Sequence, residues 1–234
     1  TQAAAACLNP PNLGCMWLDS GGFSNAFLNA CRNGGAFELR QLTWAYKEAV
    51  ESREAHADPD VIGAAIESQN IFDWFKKLPW KKGHSPLHWT PDYEDYLLDI
   101  WARETFDDYW KQIGLCAEEY YDSFSDVPQV HMSAWYDPYS RTATDNYVAL
   151  SGFKKGPVSL LMGPWTHGGW NVTYSGDVDF GTESHIDLND FRLQWFDHYL
   201  KGMHTEVAGW SPARFFTMDP GDSQERDSPA WTQK

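Results

Sequence analysis

The sequence predicts an α/β protein built on a parallel sheet with crossover helices. Three observations carry this. After residue 127 strand-like and helix-like stretches alternate, the signature of a parallel sheet whose connections are helices. Residues 36–122 carry helical periodicity instead. The 234 residues, 42% hydrophobic and 22% charged, are long and apolar enough for a large core and are neither disordered nor fibrous.

Met16-Trp17-Leu18 reads as a short strand, punctuated by Gly21-Gly22. Phe37, Trp44 and Val50 recur at helical spacing among charged residues. Asp58-Pro59 reads as an N-cap followed by a first-turn proline, opening a helix with Val61, Ile62 and Ile66. Asn70–Lys77 is expected to form a short helix. A loop with Pro79, Gly83 and Pro86 follows, and Thr90-Pro91 opens a helix bearing Tyr93, Tyr96, Leu97, Ile100 and Trp101. Beyond Val127-Pro128 the expected order is strand Gln129–Ala134, helix Arg141–Leu150, strand Val158–Met162 and helix Ile186–Leu200. Ala213–Met218 reads as a strand that opens a further domain.

Charge excludes some functions. With 18 basic and 33 acidic side chains the net charge is −15, a field that argues against nucleic acid or an anionic membrane as partner. No apolar run approaches the ~20 residues needed to span a bilayer. Cys7, Cys15, Cys31 and Cys116 form no Cys-x-x-Cys pair and no zinc spacing, so free buried thiols are expected. His84 and His88 are four apart, but Pro86 breaks the helix that would align them on a metal. Neither a metal nor a cofactor is expected. Asp177, Asp179, Asp197, His198 and the Glu118-Glu119 patch are read as structural or solvated groups.

Parallel sheets place functional groups at the carboxyl ends of their strands. Two such loops stand out. One carries Asp137 in Trp135-Tyr136-Asp137-Pro138; the other carries His167 in Gly163-Pro164-Trp165-Thr166-His167-Gly168-Gly169. An acid after one strand and a histidine after the next follow the chain order of a Ser-Asp-His triad on an α/β-hydrolase sheet. In that chemistry the histidine takes the serine proton and the carboxylate orients the imidazole.

The wording of these segments is specific. Together with Gly176-Asp177-Val178-Asp179-Phe180-Gly181 and Trp195-Phe196-Asp197-His198-Tyr199-Leu200-Lys201-Gly202, they resemble the cocaine-esterase-like (CocE/NonD) hydrolases and their X-Pro dipeptidyl-peptidase relatives. Glu104–Trp110 is similar to another segment of that family, with Glu104 and Thr105 in place of its usual His-Pro. The resemblance is strong over residues 104–202 and looser before them. It implies an α/β-hydrolase core at 1–20 and 127–206, a helical cap inserted at 21–126, and a C-terminal jelly-roll β-domain starting at 207–234. It also implies that Asp137 and His167 are the triad acid and base. Tyr139, Trp135 and Trp165 are expected to line the substrate site.

The family nucleophile lies in a G-x-S-Y-x-G turn, and no G-x-S-x-G occurs here. Thr1-Gln2-Ala3-Ala4-Ala5-Ala6 resembles the continuation of the family's nucleophile helix, so the serine is expected a few residues before Thr1. Both ends read as cuts through a longer chain. Gly22-Phe23-Ser24-Asn25-Ala26 looks like a relaxed elbow, but loop residues precede it where a strand is needed, which argues against Ser24.

The expected partner is a small-molecule ester or amide. Pro138-Tyr139-Ser140-Arg141 holds no acid after Asp137, which disfavours α-amino-acid esters. Trp74, Trp80, Trp89 and Trp101 would suit a bulky or aromatic acyl group, and core packing explains them equally well. The alternative is a non-catalytic binding module that uses the cap cleft. A homo-oligomer is compatible with the sequence, and a soluble, cytoplasmic location is expected in preference to a secreted one.

Overall fold

A computed structural model describes residues 1–218 and 231–233. Two compact units emerge: Thr1–Ala30 with Asp108–Lys234, and Cys31–Asp107. In chain order the first unit opens with α1 (Gln2–Cys7), β1 (Met16–Asp19) and α2 (Ala26–Asn29). The second unit holds β2 (Arg32–Asn33), β3 (Ala36–Phe37), α3 (Arg40–Val50), α4 (Arg53–Ala57), α5 (Ala64–Glu67), α6 (Ile71–Phe75) and α7 (Pro91–Ala102). The first then resumes with β4 (Gln129–Tyr136), α8 (Ser140–Phe153), β5 (Val158–Thr166), β6 (Tyr174–Ser175), β7 (Val178–Asp179), α9 (Leu188–Lys201), β8 (Ala213–Phe216) and β9 (Trp231–Gln233).

The central sheet has the order β1-β4-β5-β8-β9. Neighbours from β1 to β8 are parallel, and β9 closes the far edge antiparallel to β8. A parallel sheet is covered on both faces, and β4 is buried along both. One face joins Trp17, Val130, Met132, Ala134, Leu161 and Trp165 to Leu188 and Trp195 of α9. The other sets Met16 and Leu18 against Ala3, Ala6 and Cys7 of α1, with Tyr121, Phe124 and Leu150.

Local chemistry explains the elements. In α9, Leu188, Phe191, Trp195 and Tyr199 form one stripe at helical spacing. Asp187 caps its start by accepting from the N–H groups of Asn189 and Asp190, and Gly202 ends it in the left-handed conformation. Trp195 is 1% exposed, so truncation to alanine should cost about 3–5 kcal/mol. At the start of the chain the Gln2 amide clamps Trp17: its Nε2 donates to the Trp17 carbonyl at 2.7 Å and its Oε1 accepts the Trp17 N–H at 3.1 Å.

On β4 the residues between the apolar ones are polar. Gln129, His131 and Ser133 are all buried. His131 Nε2 lies 3.0 Å from Gln129 Oε1, so this nitrogen carries the proton. Its Nδ1 has no partner among the described residues. Burial alone pushes the imidazole pKa down to about 3.

In the helical unit, Leu42, Ile66, Trp80, Leu87, Leu97 and Ile100 are buried. Phe37 stacks on Trp101 at 5.4 Å. Asp58 caps the turn at Pro59 by accepting from Val61 N–H, as its sequence predicts. Trp80, weighed as a substrate-facing ring, is 4% exposed and gives its N–H to the Trp74 carbonyl, so packing accounts for it.

Three expectations need correction. Residues 21–30 and 108–126, assigned to the cap, belong to the sheet-bearing unit. Backbone bonds from Ala26 to Leu115, Ala117 to Phe23 and Glu118 to Ser24 tie the two segments together. The strand at Ala213–Phe216, expected to open a further domain, joins the central sheet, pairing Leu160 with Ala213 and Met162 with Phe215. The expected jelly-roll domain otherwise falls partly on residues 219–230 and 234, outside the described residues. Finally, β5 runs four residues past its expected end, through Gly163-Pro164-Trp165-Thr166.

Candidate active site

Asp137 lies one residue beyond β4, and His167 one residue beyond β5. The strands are parallel neighbours, so both residues emerge at the same edge of the sheet. The register slips between Ala134 and Tyr136, where β5 carries an extra residue. Such a bulge re-aims the strand end. Gly163 makes it possible: a Cβ there would lie 2.1 Å from the Trp165 ring, which folds back against the backbone.

The two side chains meet. His167 Nδ1 lies 2.9 Å from Asp137 Oδ2. A carboxylate oxygen accepts, so Nδ1 carries the proton and Nε2 is the basic nitrogen. The Asp137 side chain is 1% exposed, whereas that of His167 is 55% exposed. Two further donors hold the carboxylate. Tyr139 N–H reaches Oδ1 at 2.7 Å, closing the turn into α8, and the Ser20 hydroxyl reaches Oδ2 at 2.7 Å.

Tyr139 lies beside the pair, its ring 5.2 Å from the His167 ring and 5.5 Å from Phe23. Trp135 is half-exposed, with its N–H given to the Phe216 carbonyl and its ring against Phe215. Trp165 is different. It is 1% exposed, donates to the Ser184 carbonyl and packs on Trp231, so the expected substrate-lining residue is a core residue. Strand alternation sends its side chain away from that of its neighbour Thr166.

Two contributors escaped the sequence reading. Ser20 follows β1 and reaches Asp137 across the sheet edge. Asp19 pairs with Arg192 of α9, whose guanidinium also lies over the Trp170 ring. Desolvation raises the Asp19 carboxyl pKa despite that cation, and the Asp137 charge adds to the rise. The available signal was position: Asp19 closes β1 and Ser20 follows it, beside the strand that leads to Asp137.

Ser24 is fully buried, and its hydroxyl accepts from Asn29 Nδ2 at 2.7 Å. His84 and His88 turn their Nδ1 atoms to the carbonyls of Lys82 and Ser85. No group of three or more His, Cys, Asp or Glu among the described residues could hold a metal ion. No helix among them is long and apolar enough to cross a membrane.

A mostly parallel sheet with an acid and a histidine paired at the ends of adjacent strands is an arrangement found in α/β hydrolases. Comparison with known proteins agrees with that class. Structures of a CocE/NonD family hydrolase from Staphylococcus aureus superpose with TM-scores of 0.54 and 0.55 at 13% and 15% identity. They match 99% and 98% of this chain and 31% and 32% of the solved chains. The Mycobacterium bovis protein named "Putative serine esterase Mb1866c" is 31% identical over 107 residues, 43% of this chain and 16% of that protein. A Mycobacterium tuberculosis protein of the same description matches equally. Residues 1–169 match the model of the X-Pro dipeptidyl-peptidase (S15) family. The chain belongs to this family of serine hydrolases, and it spans under a third of the length of these relatives.

Proposed function

We propose that this chain supplies the acid and base of a Ser-Asp-His site that cleaves carboxylic ester or amide bonds. The observation that carries the reading is the hydrogen bond from His167 Nδ1–H to Asp137 Oδ2, with the imidazole exposed beyond it. His167 Nε2 takes the proton of a serine hydroxyl as its oxygen attacks the acyl carbon. The imidazolium then returns the proton to the departing alcohol or amine, leaving an acyl-enzyme. Water, deprotonated by the same nitrogen, attacks the acyl carbon, and the imidazolium returns that proton to the serine oxygen as the carboxylic acid is released. Asp137 orients the ring and stabilises the imidazolium throughout. The Tyr139 ring, edge-on to His167, offers an apolar wall for the acyl group.

The nucleophile is proposed to lie in residues outside this sequence. No G-x-S-x-G occurs in it, and Ser24 is buried and committed to Asn29. Intact mass after exposure to a fluorophosphonate serine probe tests this. The folded chain should remain unlabelled, whereas the full-length protein should take up one equivalent. A stoichiometric adduct on any serine of this chain would overturn the placement.

A further inference from the structure

We propose that Ser20 is a positioning residue that holds the Asp137 carboxylate for His167. The inference rests on the acid–base reading above. Ser20 Oγ donates to Asp137 Oδ2 at 2.7 Å, the same oxygen that receives the His167 N–H at 2.9 Å. With Tyr139 N–H on Oδ1, both carboxylate oxygens are engaged and its rotation is fixed.

The backbone of Ser20 gives the second observation. Its φ is +44°, in the left-handed region that L-residues avoid and glycine enters freely. Glycine follows immediately at positions 21 and 22. A serine therefore occupies a conformation suited to glycine, and its hydroxyl is the group that glycine lacks. Strained backbone of this kind collects at functional sites.

The surroundings make the contact rigid. Ser20 N–H donates to the Met132 carbonyl at 2.9 Å, extending the ladder between β1 and the strand that leads to Asp137. The neighbouring Asp19 is held by Arg192, which also lies over Trp170, three residues past His167. One cation thus braces both the Ser20 turn and the histidine loop. Without the hydroxyl, Oδ2 keeps one donor, the carboxylate gains rotational freedom, and the imidazole loses its fixed orientation.

The test uses nitrogen NMR of the His167 imidazole at fixed pH, with Ser20→Ala, Ser20→Gly and Asp137→Asn variants of this chain. Both Ser20 variants should move the Nδ1 resonance of His167, and Asp137→Asn should move it further. Ser20→Gly should also lose less stability than Ser20→Ala, because glycine relieves the strain while the signature changes in both. A purely structural serine would lose stability and leave the resonance in place. If Asp137→Asn moves the resonance and neither Ser20 variant does, the Ser20 inference fails alone. If Asp137→Asn moves nothing, the acid–base pairing fails and takes the inference with it. In the full-length protein, loss of one hydrogen bond to a charged group corresponds to about a ten-fold drop in kcat with KM little changed. An unchanged kcat would also overturn the inference.

Discussion

Replacing His131 by glutamine should make the protein markedly less sensitive to acid. The imidazole is fully buried on β4, and its pKa is pushed down to about 3 from 6.5. The folded state therefore refuses a proton that the unfolded state accepts. The sign follows: this contribution to stability is complete above pH 6.5 and is lost as pH falls toward 3. Between pH 7.5 and pH 5.0 the unfolded chain gains about 2 kcal/mol from protonating this one residue, and the full loss is about 5 kcal/mol. The assay is urea unfolding followed by tryptophan fluorescence at both pH values, for wild type and His131→Gln. Every other titrating group is shared, so its effect cancels in the comparison. Wild type should lose about 2 kcal/mol more than the variant over this window. Parallel losses in the two proteins would refute the reasoning.

Three other outcomes are expected. Asp137→Asn in the full-length protein should lower kcat by roughly 10⁴-fold with the fold intact, because the imidazole loses the acceptor that sets its tautomer; ester hydrolysis with circular dichroism checks this. Burial pushes the Cys31 and Cys116 thiols up to about 11, so both should react slowly with a disulfide reagent at pH 8 and fast in denaturant. Gly163→Ala should lower the thermal midpoint and disturb the histidine loop, since its methyl would occupy the space of the Trp165 ring.

The pairing of Asp137 with His167 was legible because its surroundings are local. A strand, a turn and a Gly-rich loop announce Asp137 and His167 within a few residues of sequence. Trp165 was misread for the same reason. It stands two residues from His167 in sequence, yet β5 ends at Thr166, so Trp165 stays in the sheet and packs into the core while His167 leaves on the loop. The Ala213–Phe216 strand shows a different limit. Four residues carry a β pattern, but the sheet they enter depends on pairing with Leu160–Met162, some fifty residues earlier. Ser20 was hidden twice over. Its left-handed backbone is the one glycine signals, and its partner lies 117 residues away.

The Gln2 clamp on Trp17 has a consequence for association. Among the described strands β1 is one margin of the sheet, and such a margin is a template for pairing with another chain. At residue 17 both backbone groups already have partners from within the molecule. A visiting strand could dock on either side of that rung but could not run through it unbroken. A single glutamine thereby occupies one rung of that margin, a side chain imitating a peptide bond.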